Sequence, residues 1–448
     1  MPTQPNWITR DRAHIWHPYT QMKTADAPIA IVAGKGAELY DESGKVYIDA
    51  VASWWTNIHG HAHPYMAEKL ATQAHKLEHV IFAGFTHPSA IELAERLLPL
   101  LPEGQSKVFF SDNGSTAVEV GIKMAIQYFY NQGITRKKVI AFDLAYHGDT
   151  FGTMSVGGDL SFYDAFQDFL YQVERIPTPV PGQEAACMQA LEAHLQKGDV
   201  AAFVFEPLVL GAAGMLMYTP EVLDQLMALC KKYGALCIAD EVMTGFGRTG
   251  RLFATLHCTE KPDIIALSKG LTGGMLPMAL TTCTEAIYQA FYSDDKMKAL
   301  YHGHSFTGNP LGCAVALASL DLLLSEETQQ NIQRLVQRQA AFLAKIKNHH
   351  QVLNLRQTGT ILAIEFKTES NSGYFNNLRD HLYRFFLQHG LILRPLGNVV
   401  YVLPPYCITD VQLDQVYAAI EKALDLGFRV ADFGFRNPSE LDMGDCAE

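Results

Sequence analysis

Three residue patterns in this sequence could do chemistry together. The segment Asp112-Asn113-Gly114-Ser115 joins an apolar run ending at Ser111 to a stretch where Val118, Ile122, Ala125 and Phe129 recur at helical spacing. A glycine turn opening a helix presents unpaired N–H groups and the positive end of the helix dipole to an anion, and the Ser115 hydroxyl adds a donor. Asp240 closes the run Leu236-Cys237-Ile238-Ala239, at a strand's carboxyl end, where open α/β sheets bind ligands and a carboxylate can keep a ring nitrogen protonated. Lys269 follows Ile264-Ile265-Ala266-Leu267-Ser268 and precedes Gly270, so small neighbours let a planar group approach its amine. Anion site, carboxylate and amine together suit a ligand with a phosphate, a heteroaromatic ring and an aldehyde. Each also has a plainer reading: a capped strand-to-helix turn, a helix cap or ion pair for which Glu241 is equally placed, and a solvated lysine.

These residues need a scaffold that brings distant strand ends to one edge. Short apolar runs at Lys107–Ser111, Lys138–Phe142, Ala201–Phe205, Leu236–Ala239, Ile264–Leu267 and Met278–Thr282 alternate with segments of helical period. That alternation predicts a mostly parallel sheet flanked by helices. Thr219-Pro220-Glu221 and Gly234 give one of those helices a cap, a first-turn proline, an early acid and a stop. Around Glu42-Ser43-Gly44, the stretches Ala37–Tyr40 and Val46–Asp49 predict a small antiparallel meander. A long helix over about 326–347 leads to strands near Thr360–Phe366, Leu391–Arg394 and Val399–Leu403, a second and smaller α/β domain. The expected division is an N-terminal segment 1–60 serving the small domain and the site, a large ligand-binding domain 61–329, a small domain 330–432 and an acidic, Gly/Ser-rich tail 433–448 with the composition of a disordered segment.

Bulk properties exclude several classes. Of the 448 residues 48% are hydrophobic, and 35 Lys and Arg against 47 Asp and Glu give a charge of −12 with no basic run for a nucleic-acid backbone. No leading apolar segment resembles a signal peptide and no stretch is long enough to span a bilayer, so a cytoplasmic protein is expected. The 8 cysteines lack a Cys-x-x-Cys pair and read as reduced core residues. Two motifs mislead. Gly245-x-Gly247-x-x-Gly250 matches a dinucleotide fingerprint, which would make the chain an NAD-linked oxidoreductase, but it does not close the strand directly and no acid follows about 20 residues later. His59-Gly60-His61-Ala62-His63 alternates as metal ligands on a strand would, but Gly60 and Pro64 make it a turn, so no metal is expected.

Ile238-Ala239-Asp240-Glu241-Val242, Gly245-Phe246-Gly247-Arg248-Thr249-Gly250 and Leu267-Ser268-Lys269-Gly270-Leu271 resemble, in this order and spacing, the class III aminotransferases. The resemblance implies a fold-type I transferase that uses pyridoxal 5'-phosphate. It assigns the phosphate to Gly114 and Ser115, one ring face to Tyr146 and the other to Val242, the ring nitrogen to Asp240, and the covalent link to Lys269. Glu206 becomes an acid beside the cofactor, and His304 and Ser305 reach it from a second subunit, implying a homodimer with shared sites. Ser305 stands in His304-Ser305-Phe306 where Pro-Thr-Phe is usual. Within the class, His17-Pro18-Tyr19-Thr20, Ser53-Trp54-Trp55, Ile58-His59-Gly60, Tyr146-His147-Gly148-Asp149 and Arg394-Pro395 resemble the branch that moves an amino group from S-adenosylmethionine to 8-amino-7-oxononanoate in biotin biosynthesis. That branch implies Tyr19, catalytic as well as substrate-binding, with Trp54, Tyr146, Lys269 and Gly303 in the substrate pocket, Arg394 on the acceptor carboxylate, and Tyr401 and Arg248 close by. Lysine as donor, and class III transaminases of ω-amino acids or diamines, remain open alternatives.

Overall fold

The computed structural model describes residues 6–158, 161–368, 376 and 378–427; the predicted tail 433–448 lies outside them. At its centre is a seven-stranded sheet in the order Gln105–Ser111, Ala279–Thr284, Ile264–Leu267, Leu236–Asp240, Val200–Phe205, Lys138–Phe142 and Glu174–Ile176. Ala279–Thr284 runs antiparallel to both its neighbours, and every other pair in the chain from Ile264–Leu267 to Glu174–Ile176 is parallel. Val200–Phe205 is buried at every position, as a strand covered on both faces must be. The helix Gly114–Asn131 lies on one face with Val118, Ile122, Ala125 and Phe129 buried, and the helix Pro220–Tyr233 is capped by Thr219 and ends at Gly234 with φ 70°, as its sequence predicts.

A four-stranded sheet joins the two ends of the chain. The meander Ile31–Lys35, Glu38–Asp41 and Val46–Asp49 is antiparallel, and Leu391–Ile392 adds to it in parallel, with Ile48 beside Leu391 and Asp49 beside Ile392. The predicted strand reaching Arg394 stops at Ile392, because its partner strand ends opposite it at Asp49 and turns away through Ala52 and Ser53. A three-stranded antiparallel sheet, Val352–Thr358, Ile361–Phe366 and Val399–Val402, completes the C-terminal part. The largest apolar core runs from Phe142 and Phe203 to Val402, Leu413 and Ile420, and a second lies between the sheet and the helix Gly114–Asn131. Six cysteines are buried and free, whereas Cys407 is exposed. Among the described residues no helix is long and apolar enough to cross a membrane.

The fingerprint-like glycines pack structure instead of a ligand. Gly247 has φ +98°, and a Cβ there would come within 2.8 Å of Ile332 and 3.0 Å of the Tyr406 hydroxyl, which itself donates to the Phe246 carbonyl at 2.7 Å. Gly247→Ala should therefore destabilise the protein by about 2–3 kcal/mol through strain and overpacking. Urea denaturation at constant m-value checks this; an unchanged midpoint would show that the turn tolerates a side chain.

Candidate active site

Parallel register decides which residues meet. Asp240 lies beside Ala266, Ala239 beside Phe205 and Val204 beside Ala141. The residues that follow these positions, namely Tyr146 and His147, Glu206, and Lys269, therefore leave the sheet at the carboxyl edge where Asp240 ends its strand. Gln105–Ser111 points the same way, since both it and Ile264–Leu267 oppose Ala279–Thr284. Its continuation, Asn113, caps the helix beginning at Gly114, leaving the first N–H groups, at Gly114 and Ser115, without helix acceptors.

Asp240 is buried and doubly held: Nδ1 of His147 donates to its Oδ2 at 2.8 Å and the Val242 N–H to its Oδ1 at 3.1 Å. Glu206 is also buried and accepts from the N–H groups of Tyr146 and Gly211, each at 3.0 Å. Burial pushes Glu206 up to about 7, against the pull of His147 and of the two backbone N–H donors and with the help of the nearby Asp240 carboxylate. Lys269 is partly buried, with φ 49°. Burial pushes its ammonium from 10.5 down to about 8, with Asp240 and Glu206 opposing and Arg248 assisting. Among the described residues no carboxylate lies within ion-pair distance of that amine.

A second string of residues runs outward. Tyr19 donates to Asp149, and Tyr146 lies within hydrogen-bond distance of both, 3.0 Å from the Tyr19 hydroxyl and 3.2 Å from Asp149. The Asp149 N–H donates to Ser115 Oγ at 3.3 Å. The Tyr19 and Trp54 rings are 5.5 Å apart, and the Arg394 guanidinium sits 4.6 Å over Trp54. This stacking follows from the sheet: Ile392 pairs with Asp49, so Arg394 and the turn after Asp49 continue side by side. Arg394 is exposed and has no carboxylate partner among the described residues. Arg248 differs: it is 1% exposed, donates to the carbonyls of Pro404 and Trp55 at 2.8 and 3.3 Å, and lies over Tyr406. Tyr401 accepts from the Trp55 indole at 3.0 Å.

The chain matches the class III aminotransferase model over residues 19–424. It belongs to the class III aminotransferases. It is 48% identical over 433 residues to the adenosylmethionine-8-amino-7-oxononanoate aminotransferase of Synechococcus elongatus, covering 95% of this chain and 100% of that one. The protein of the same name from Geobacter sulfurreducens is 42% identical, with 92% and 96% covered. Among solved structures, that of the Methanocaldococcus jannaschii protein of this name superposes with a TM-score of 0.88 at 36% identity, covering 94% of this chain and 98% of that one. An omega transaminase of Pseudomonas jessenii in complex with PMP gives 0.89 at 27% identity, with 94% and 98% covered.

In this class III aminotransferase Glu206, Tyr146, Tyr19, Trp54 and Arg394 form one string of contacts, with Ser115 joined to it through Asp149; Asp240 is bonded to Val242 and His147, Arg248 and Tyr401 both hold Trp55, which faces Lys269, and Gly114 opens the helix that carries Ser115. Gly303, His304 and Ser305 are apart: no hydrogen bond or ion pair joins them to that network among the described residues, and Ser305 is exposed. Three neighbours escaped the sequence reading. His147 and Asp149 stand in the quoted Tyr146-His147-Gly148-Asp149 run, whose polar spacing was a usable signal; Trp55, which faces Lys269, had none that separates it from Trp54. The histidine turn is structural: His61 donates to Asp49 at 2.8 Å and His59 lies 3.0 Å from Ser319 Oγ.

The lowered Lys269 value has a stability consequence. Its folded pKa of about 8 lies below the unfolded 10.5, so above the unfolded value the amine is neutral in both states and costs nothing. As pH falls from 10.5 to about 8 the unfolded chain takes up a proton that the fold resists, so a penalty builds up that is complete below about 8, at up to about 3 kcal/mol, reduced by whatever water reaches the amine. In the cofactor-free protein, Lys269→Met should therefore raise stability at pH 6–7 and show a shrinking advantage towards pH 10. Denaturant melts across that range test it; a pH-independent difference would contradict the assignment.

Proposed function

We propose that this aminotransferase carries the α-amino group of S-adenosylmethionine to 8-amino-7-oxononanoate, by a ping-pong reaction with pyridoxal 5'-phosphate bound through Lys269. The observation that carries it is the convergence at one sheet edge of a partly neutral amine, a pinned carboxylate and an open helix N-terminus. The choice of substrates is supported by full-length likeness to proteins bearing that activity in their names. The donor set fits the cofactor: an amine for its aldehyde, an anion for its ring nitrogen, and free N–H groups with a hydroxyl for its phosphate. When bound, the cofactor supplies an aldehyde that captures amines and a ring that accepts electrons.

The chain's own groups do the rest. Asp240, fixed by His147, holds the proton on the ring nitrogen. Gly114 and Ser115 would hold the phosphate, and Tyr146 and Val242 would contact the ring. Lys269, with a pKa near neutrality, takes the proton from the donor's α-carbon and returns one in the reverse sense at the acceptor. Tyr19 and Tyr146, steered by Asp149, donate to polar groups beside the reacting carbon. Arg394, flat on Trp54, offers two parallel N–H groups to a carboxylate. Arg248 and Tyr401 shape the inner wall through Trp55. Gly303, His304 and Ser305 serve the site of a second copy, which makes the working form a homodimer; the exposure of Gly303 and Ser305 and the separation of all three from this chain's network support that.

Two measurements test the reading. Purified protein should use S-adenosylmethionine with 8-amino-7-oxononanoate and not 4-aminobutyrate with 2-oxoglutarate, and lose turnover in Lys269→Ala; amination of the cofactor by lysine but not by S-adenosylmethionine would reverse the donor. Arg394→Ala should lower the acceptor's kcat/KM by about 2–4 kcal/mol with unchanged melting temperature. Normal acceptor binding in a variant that melts well below the parent would make Arg394 structural.

A further inference from the structure

Trp55 is held more firmly than a core residue requires. It closes a turn in which Ala52, Ser53 and Trp55 have φ of 50°, 58° and 67°, values that side chains adopt only when their surroundings enforce them. The enforcement comes from Asp49, which accepts from the N–H groups of Val51 at 3.1 Å and Ser53 at 2.7 Å. The Trp55 carbonyl accepts from Arg248 and the indole N–H donates to Tyr401. One rim of the indole rests on Gly211, where a Cβ would stand 3.1 Å from the ring. The Trp55 ring centroid lies 4.5 Å from Lys269 Nζ.

The charges acting on Lys269 come from three other elements: Asp240 at the strand end, with His147 bonded to it, Glu206 after the neighbouring strand, and Arg248 in the turn beyond Asp240. No carboxylate is close enough for an ion pair among the described residues, so the electron-rich indole face is a direct contact for the charge.

We propose that Trp55 is a positioning residue that receives the Lys269 ammonium whenever that amine is not joined to the cofactor, favouring the free, charged form. This rests on the reading of Lys269 as the covalent lysine. A cation–π contact in a partly desolvated place raises the amine's titration midpoint, so its removal lowers that midpoint by about 0.5–1.5 pH units. At a fixed pH near neutrality the ratio of neutral to charged amine then rises by about threefold to thirtyfold.

The experiment uses the full chain freed of cofactor. The rate of Lys269 acylation by an amine-reactive ester is followed from pH 6 to 10 by mass spectrometry of the peptide that carries it. Parent, Trp55→Phe and Trp55→Leu are compared, each with a melting curve and a far-UV spectrum. The midpoint should fall from parent to Phe to Leu. A folded Trp55→Leu variant with the parent's midpoint overturns the inference. If Trp55→Leu does not fold, Trp55→Phe decides, since it keeps a weaker face and loses the Tyr401 bond; an unchanged midpoint there overturns the inference equally. Saturating pyridoxal 5'-phosphate serves as the control. Protection of Lys269 with an unchanged midpoint overturns only the role of Trp55, whereas acylation at the cofactor-free rate overturns the covalent reading and this inference with it.

Discussion

Everything around Lys269 answers to one electrostatic constraint: an amine placed among protein atoms must stay available in both its charged and neutral forms. A contact ion pair would fix it as an ammonium, and burial with no acid nearby would drive it neutral. Here burial lowers the amine, Asp240 and Glu206 resist from beyond ion-pair distance and Arg248 assists the lowering, which leaves it near 8. That balance requires each charged neighbour to be occupied elsewhere. Asp240 is held by His147 and the Val242 N–H, Glu206 by two backbone N–H groups, and Arg248 by two carbonyls. Neither acid can swing over and capture the lysine without leaving a buried polar group unpaired.

Sheet topology makes this arrangement possible. Parallel strands deliver Tyr146, His147, Glu206, Asp240 and Lys269 to one edge from segments far apart in sequence, and the reversed strand Ala279–Thr284 lets Gln105–Ser111 point to the same edge. The small four-stranded sheet does the corresponding work from the other side. Its parallel pair sets Asp49 against Ile392, and from that register follow both the strained turn carrying Trp54 and Trp55 and the position of Arg394.

The strands of the large sheet were legible because residues buried on both faces read as uninterrupted apolar runs, and Asp240 and Lys269 were legible because they punctuate such runs. The helix over Pro220–Tyr233 announced itself through its cap and its closing glycine. Other strands gave no such signal. Glu174–Ile176 is short and lies at the sheet edge, and Val352–Thr358 has no fully buried position, so neither shows an apolar run. The two tryptophans show the same limit at the site. Which of them faces the lysine depends on positive φ at Ala52, Ser53 and Trp55, a backbone state that local propensity argues against. Likewise the inward aim of His147, and its bond to Asp240, depends on a register between strands that a single sequence does not display.

Burial falls off across the site in a way that matches the two-substrate reading. The wall that would hold the cofactor includes buried groups hydrogen-bonded at more than one point, namely Asp240, Glu206 and Trp55. The wall that would hold substrates is built from Tyr19, Trp54 and Arg394, all exposed and supplied by segments that precede or follow the large sheet. A site that must keep one group fixed while admitting first a sulfonium amino acid and then a long keto acid needs that division. Rigid contacts preserve the proton-moving geometry at Lys269 through both halves of the cycle. Aromatic faces and an unpaired guanidinium accept chains of different length, since stacking and charge tolerate displacements that a buried, doubly hydrogen-bonded acid does not.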